Sequence, residues 1–149
     1  MKIIDLPPVW LAAFLALAWM QADRFSFGLT FGGPWSGFAG GLLVGGGILL
    51  MLLALAEFRR HRTTVIPHRD ADAMLTTGVY SRTRNPIYLG DAMILSGLIL
   101  YGDAVLSLPL IPIFVWVIER RFILPEENRL RRKFRADFAR YEAKVRRWA

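Results

Sequence analysis

The sequence predicts an all-α, polytopic membrane protein with about four transmembrane helices and a C-terminal amphipathic helix, built as one membrane-embedded domain over residues 1–149. Hydrophobic residues make up 54% of the chain and lie in long runs, whereas soluble domains space them at the helical or strand period. No charged residue occurs between Arg24 and Glu57. Of the 19 lysines and arginines, six fall within residues 58–86 and eleven follow Glu119, as expected for segments on one side of a membrane.

Four apolar runs supply the predicted spans, which we place at approximately 8–22, 35–56, 87–101 and 104–122. The second run is the longest, and a helix of about 20 residues crosses a hydrocarbon core of roughly 30 Å. The first run is interpreted as a membrane helix, because Asp5 and Pro7 do not fit the positive start and uninterrupted core of a signal peptide.

The last two runs are short and meet at Gly102-Asp103, so we expect a helical hairpin that turns at the far face of the membrane. Pro109 and Pro112 are expected to kink its second helix. Four crossings return both termini to one side and place the loop over residues 57–86 on that same side. The positive charge of this loop and of the tail predicts that this side is cytoplasmic.

The second predicted span contains clusters of glycine, at Gly40-Gly41 and at Gly45-Gly46-Gly47. In a membrane, small residues allow helix backbones to approach closely, and we favour this packing role. A groove for a lipid chain beside the helix is the alternative.

The tail is predicted to form a helix over residues 125–147 with one apolar face. The residues of that face recur at steps of three or four positions and are Leu130, Phe134, Phe138, Tyr141 and Val145. The opposite face is rich in arginine. Such a helix can lie on the membrane surface and bind anionic lipid headgroups, or it can cover a site formed by the basic loop.

Composition excludes several other kinds of site. The chain has no cysteine, so disulfides and thiolate chemistry are excluded, and His61 and His68 have no partner at ligand spacing, so we expect no metal site. The net charge of +7 is explained by the cytoplasmic segments of a membrane protein, and we expect no nucleic-acid partner.

Two groups of polar residues lie where predicted membrane helices begin or end. Arg84-Asn85-Pro86 precedes the third span, and by itself it is a favourable helix start, with Asn85 as N-cap and Pro86 in the first turn. Glu126-Glu127 follows the fourth span, where the carboxylates can cap the tail helix or pair with arginines. Both groups are predicted to lie on the cytoplasmic side, so they can meet.

The ordered set of these motifs resembles the superfamily of isoprenylcysteine carboxyl methyltransferases and phospholipid methyltransferases. The resemblance covers about the last 90 residues and includes RTTVIP at 62–67 and LTTG at 75–78, which are similar to bacterial members. The isoprenylcysteine enzymes usually have histidine where this chain has Asn85. The remaining matched positions are Gly78, Tyr80, Arg84, Pro86, Tyr88, Gly90, Glu126, Glu127, Leu130, Tyr141, Val145, Arg147 and Trp148.

The resemblance implies transfer of a methyl group from S-adenosylmethionine to a lipophilic acceptor, with S-adenosylhomocysteine as product, in a bacterial inner membrane with both termini cytoplasmic. The cofactor site is then formed by the loop 57–86 and the C-terminal helix. Arg84, Asn85 and Glu127 are expected to act in the reaction. The residues expected to bind the cofactor are Gly78, Tyr80, Arg84, Asn85, Pro86, Tyr88, Leu89, Gly90, Glu126, Glu127 and Tyr141.

The acceptor class stays open at this stage. An isoprenylcysteine-type carboxylate or a related membrane lipid is the first interpretation, and the ethanolamine headgroup of a phospholipid, methylated on nitrogen, is the second. Two further hypotheses are a membrane reductase similar to the sterol reductases and a non-catalytic protein whose basic surface binds anionic lipid.

Overall fold

The computed structural model describes residues 6–60 and 75–148, and all regular structure in these two ranges is helical. The six α-helices are α1 (Pro7–Arg24), α2 (Trp35–Arg60), α3 (Pro86–Tyr101), α4 (Leu110–Ile118), α5 (Leu124–Phe134) and α6 (Ala136–Lys144). Short 3-10 turns cover Gly78–Ser81 and Val105–Ser107, and a π-helical turn covers Glu119–Ile123. Residues 61–74 of the predicted loop 57–86, which include the RTTVIP motif, His61 and His68, lie outside the described residues.

Helices α2 and α3 pack antiparallel along their length through paired glycines. A Cβ atom at Gly47 would lie 2.6 Å from the Gly90 carbonyl oxygen, and one at Gly90 would lie 2.7 Å from the Gly47 oxygen. Gly40 and Gly97 face each other in the same way two turns farther along. The packing role predicted for the glycine clusters is therefore confirmed at two positions, whereas a Cβ at Gly41 would contact nothing within 4 Å.

A second contact joins α3 to α1 and α4 through a core of large apolar side chains. Phe14 and Phe114 meet edge to face, with ring centroids 5.3 Å apart. At the end of this core away from the chain's basic segments, the Ser107 hydroxyl donates to the Gln21 side chain over 2.8 Å. Buried members of the core on α3 and α4 are Leu95, Ile99, Phe114 and Ile118.

Among residues 6–60 and 75–148, α2 is the helix whose length and composition suit a membrane crossing, with 26 residues and a mean hydropathy of 2.3 over its most apolar window. Its large apolar side chains are not covered by the rest of the chain, since Phe38 is 73% and Leu42 62% exposed. Large exposed apolar surfaces mark contact with a membrane or a partner. The arrangement with four crossings stays a prediction.

The predicted fourth helix at 104–122 is wrong in its bounds. A 3-10 turn at Val105–Ser107 comes first, and α4 begins only after Pro109, which occupies the N-cap position. Pro112 falls in the first turn of α4, where backbone N–H groups have no intrahelical acceptor and a proline costs little. The two prolines therefore define the start of the helix and do not kink its middle.

The single C-terminal helix predicted at 125–147 is also wrong. The helical path runs from α4 through the π-helical turn into α5, so no break separates the predicted fourth span from the tail. The wider turn ends at Ile123, two residues before Pro125, which has no N–H to donate to the preceding turn. The tail then breaks at Arg135, with φ 46° and ψ −110°, and α6 ends at Lys144.

Despite this break, the predicted apolar face packs together as one cluster. Phe138, Tyr141 and Val145 are buried against Leu130 and Phe134. The bend at Arg135 lets α6 fold against α5, and the side chains meet across the corner.

Candidate functional site

A cleft lies where the basic end of α2, the start of α3 and the helices α5 and α6 meet. It has about 530 Å³ of atom-free space when its open mouth is counted. Its walls combine apolar and aromatic side chains with a few charged and polar groups, which is the usual composition of a small-molecule site. The lining residues are Phe58, Leu75, Tyr80, Arg84, Asn85, Ile123, Glu126, Glu127, Leu130, Phe138 and Tyr141.

The 3-10 turn at Gly78–Ser81 is held against the end of α2. Gly78 has φ +61°, and a Cβ there would collide with the Glu57 side chain, so this position requires glycine. The Thr77 hydroxyl donates to the Glu57 carboxylate over 2.7 Å. These contacts place Tyr80 in the cleft wall, with its ring edge to face against Phe58 at 6.0 Å.

The last described residues form an extended segment, residues 145–148, which we call the C-terminal strap. Val145 leaves the helix with φ −123° and ψ 129°. The backbone N–H of Arg84 donates to the Arg146 carbonyl over 2.9 Å, and the Asn85 side-chain amide donates to the Arg147 carbonyl over 3.0 Å. The strap is thereby joined to the segment that opens α3.

The predicted cap of α3 is partly wrong. Asn85 occupies the N-cap position and Pro86 the first turn, but the Asn85 side chain makes no capping hydrogen bond. Its amide is directed to the C-terminal strap instead. Asn85 therefore joins two chain segments and does not close the helix end.

Glu127 is the centre of a buried charge network. Arg147 binds it in bidentate fashion, since Nε donates to Oε1 and Nη2 donates to Oε2, both over 2.9 Å. Arg84 Nη1 lies 3.1 Å from Oε1, and Arg131 Nη2 lies 3.7 Å from Oε2. The hydrogen bonds that Arg147 donates to Glu127 raise the pKa of Arg147 above its ordinary value, so the guanidinium stays charged at physiological pH.

Arg84 lines the cleft with unused donors. Although its Nη1 is close to Glu127, neither Nη1 nor Nε is in hydrogen-bond geometry with any acceptor among the described residues. Both atoms are buried. Buried guanidinium donors without acceptors are costly, and a ligand with a carboxylate or phosphate group would satisfy them.

The second carboxylate, Glu126, is arranged differently from its neighbour. Its Oε2 accepts a hydrogen bond from the Tyr88 hydroxyl over 3.2 Å, and no arginine bonds to it among the described residues. Burial raises the pKa of Glu126, while the hydrogen bond from Tyr88 acts in the opposite direction. Glu126 therefore keeps acceptor capacity on the cleft side of α5.

Two tyrosines join opposite walls of the cleft. The Tyr141 hydroxyl on α6 donates to the Tyr80 backbone carbonyl over 2.7 Å. Burial raises the pKa of both phenols above the ordinary tyrosine value, with the nearby Glu126 adding to the effect on Tyr80. Both side chains stay protonated and neutral in the physiological range.

The π-helical turn supplies an anchor for the end of the strap. The Trp148 indole N–H donates to Glu119 Oε1 over 2.7 Å, and Arg147 Nη1 lies 3.6 Å from the same oxygen. Wide helical turns of this kind are frequent at functional sites. Here the turn brings Glu119 toward the strap and Ile123 into the cleft wall.

The structure brings together six of the predicted site residues and separates the others from the cleft. Tyr80, Arg84, Asn85, Glu126, Glu127 and Tyr141 line it. Gly78 shapes the turn before it, Tyr88 reaches it through Glu126, and Gly90 lies in the α2–α3 contact. Pro86 and Leu89 belong to the first turn of α3 and are not among the lining residues.

Several residues with evident roles in the geometry were absent from the predicted site. The charged wall of the cleft, around Arg84 and Glu127, is held in place by Arg147, Trp148 and Glu119. The apolar wall includes Phe138 and Leu130. The signal was present for some of them, since Arg147 and Trp148 belong to the family-like ending and Phe138 to the apolar face of the tail. For Glu119 the sequence carried no such signal.

Comparison with known proteins supports one assignment. The family model described as phospholipid methyltransferase matches residues 35–137, more than half of the chain. No curated protein and no solved structure matches the chain. The matched range runs from the start of α2 to the start of α6 and includes nine of the lining residues, with Phe138 and Tyr141 beyond it. The family methylates lipids at membranes, and the chain belongs to the phospholipid methyltransferase family.

Proposed function

We propose that the protein uses S-adenosylmethionine to methylate a lipophilic acceptor at the cytoplasmic face of a membrane, and that the cofactor binds in the cleft. The observation that carries this proposal is the buried pair of unused donors on Arg84, which lies in the cleft within the family-matched range. A site that binds an amino-acid carboxylate needs such a donor set.

The residues of the cleft fit the parts of this cofactor. Arg84 would hold the α-carboxylate chiefly through Nε, a buried donor with no acceptor among the described residues. Glu126 would accept from the ammonium group or the ribose hydroxyls, because both oxygens of Glu127 are already bonded to Arg147. Tyr80, Phe138 and Tyr141 supply aromatic surface for the adenine and for cationic contacts. Glu127 would organise the arginines around the cleft, and its direct role in the reaction stays a prediction.

The bound cofactor supplies an activated methyl group on a positively charged sulfur. The chain's own residues supply alignment and exclude water, and such positioning can be worth about 7–11 kcal/mol. A carboxylate acceptor needs no base. An amine acceptor must lose a proton, and Glu126, whose pKa is raised by burial, is the group placed to receive it.

The acceptor would enter from the bilayer side. The large apolar side chains of α2 are exposed along the helix that ends at the cleft wall in Phe58. With α1, α3 and the α4 segment as further crossings, the arrangement has four spans and both termini on the cytoplasmic side. The exposed arginines of α5 and α6 would then face anionic lipid headgroups.

Calorimetric titration of the purified protein in detergent tests cofactor use. We expect S-adenosylhomocysteine to bind and NADPH not to bind. Arg84→Ala should weaken S-adenosylhomocysteine at least about tenfold, because it removes the carboxylate donors. Arg82→Ala is the matched control, since that neighbouring arginine is exposed and does not line the cleft. Binding of NADPH alone would support a reductase instead, and binding of neither would support a non-catalytic lipid-binding protein.

A second candidate acceptor follows from the family description, which names phospholipid methylation. Methyl label transferred to an ethanolamine headgroup is stable to alkali, whereas label in a methyl ester is released as methanol. Incubation of the protein with labelled S-adenosylmethionine and either phosphatidylethanolamine vesicles or a prenylated cysteine acid, followed by alkali, therefore separates nitrogen from oxygen methylation.

A further inference from the structure

The charged wall of the cleft contains one carboxylate between two buried or half-buried arginines. Arg147 forms a bidentate pair with Glu127 and donates two hydrogen bonds to it, each over 2.9 Å. Arg84 approaches the same carboxylate to 3.1 Å without making a hydrogen bond. The two arginines therefore compete for one acceptor, and Arg147 holds it.

We infer that Arg147 is a positioning residue that occupies both oxygens of Glu127 and so keeps Glu127 from accepting hydrogen bonds from Arg84, which leaves the Arg84 donors available to a carboxylate ligand in the cleft. The inference rests on the proposed function, since the ligand is the amino-acid end of the cofactor. Without Arg147, both oxygens of Glu127 would be free to turn toward Arg84, whose Nη1 already lies 3.1 Å from Oε1, and to accept its hydrogen bonds. An internal ion pair would then occupy the donors that the ligand uses.

The geometry separates this role from a general role in holding the strap. The strap is also anchored by the Arg147 carbonyl, which accepts from Asn85 over 3.0 Å, and by the Trp148 indole, which donates to Glu119 over 2.7 Å. Neither contact uses the Arg147 side chain, so both should remain when that side chain is truncated. Arg131 faces the same carboxylate but only at 3.7 Å, and it bonds to Glu142 over 2.9 Å. It is therefore the natural control for loss of one positive charge beside Glu127.

The test is calorimetric titration of the full-length protein in detergent with S-adenosylhomocysteine, with the melting temperature of each ligand-free variant measured alongside. We expect Arg147→Ala to weaken binding about tenfold or more, by analogy with other bidentate pairs, and Arg131→Ala to change it less than about threefold. The decisive variant is Arg147→Ala combined with Glu127→Gln. Because a neutral amide does not capture Arg84, the double variant should recover the affinity of Glu127→Gln alone.

Three results would overturn the inference. The first is binding by Arg147→Ala that equals the wild type, and the second is a loss that persists in the double variant. The third is a loss in Arg131→Ala as large as that in Arg147→Ala, which would point to net charge. If the wild type itself fails to bind S-adenosylhomocysteine, the proposed function falls together with the inference. If the wild type binds S-adenosylhomocysteine and any of the three results is found, the positioning role of Arg147 is wrong and the proposed function stands.

Discussion

The contact between α2 and α3 and the charged wall of the cleft are built in opposite ways. The helix contact is made by backbone shape, since Gly40 and Gly47 bring one helix against the carbonyl oxygens of the other. The charged wall is made by side chains from three distant segments, with Arg84, Glu127 and Arg147 in one network. Both regions share α3, because Gly90 lies one turn beyond the residues that open the cleft.

This difference separates stability from ligand binding. Close backbone packing tolerates no added volume, so changes there should act on folding and leave the affinity of the folded protein unchanged. The protein can lose one member of a charge network around a cleft and still fold, but the donors and acceptors that are open to a ligand then change. Substitutions in the two regions should therefore have separable effects.

The largest effect is expected at the helix contact. Gly40→Ala places a methyl group against the Gly97 carbonyl and within 2.8 Å of the Tyr101 backbone nitrogen, where no flexible side chain can move aside. We expect a loss of about 3 kcal/mol in the free energy of unfolding in detergent. Gly41→Ala, which meets nothing within 4 Å, is the matched control and should leave stability unchanged or slightly increased. Equal stabilities of the two variants would show that the helices are not in close contact.

A smaller effect of opposite sign is expected at Asp91, a charged residue within the apolar part of α3. It is buried, and neither carboxylate oxygen has a hydrogen-bond partner among the described residues. Burying an unpaired carboxylate is unfavourable, so Asp91→Asn should raise the free energy of unfolding by about 1 kcal/mol. Glu57→Gln is a useful contrast, because that carboxylate accepts from Thr77 and its loss should destabilise the protein. A destabilised Asp91→Asn variant would show that the carboxylate has a stabilising partner.

The smallest effect is a pH dependence at Glu126. Since burial raises the pKa of this carboxyl above its ordinary value of 4.5, the folded protein holds the proton more tightly than the unfolded chain does. Its contribution to stability is thus greatest below pH 4.5 and is lost as the pH rises through the raised pKa. Unfolding measured across this range should show a shallower decline for Glu126→Gln than for the wild type. Parallel curves would contradict the burial of the group.

Sequence patterns predicted the first three helices well because long apolar runs and their flanking charges determine where such helices begin and end. Helix α3 was predicted at 87–101 and occupies 86–101, and α2 continues beyond 56 to Arg60 because its last, charged turn still forms helix. The hairpin and the tail were less predictable. Whether Pro109 kinks a helix or begins it depends on where the helix starts, which the sequence pattern does not specify. The bend at Arg135 has no glycine that would have predicted it.

The site shows the same division. The proximity of Arg84 and Glu127 followed from an argument about membrane sides and from the resemblance, and the two side chains are in contact. The identity of the arginine that binds Glu127 did not follow, because the tail carries eleven basic residues and any of several could pair with it. Only the path of the C-terminal strap selects Arg147.

Methyl transfer in a membrane tests the central claim most directly. The protein is reconstituted in vesicles with a mixed lipid extract and S-adenosylmethionine labelled in its methyl group, and label is counted in the organic phase. Wild-type protein and Arg82→Ala should transfer label to lipid, while Arg84→Ala should transfer little. Absence of label with folded wild-type protein, or equal transfer by Arg84→Ala, would contradict a methyltransferase site in this cleft.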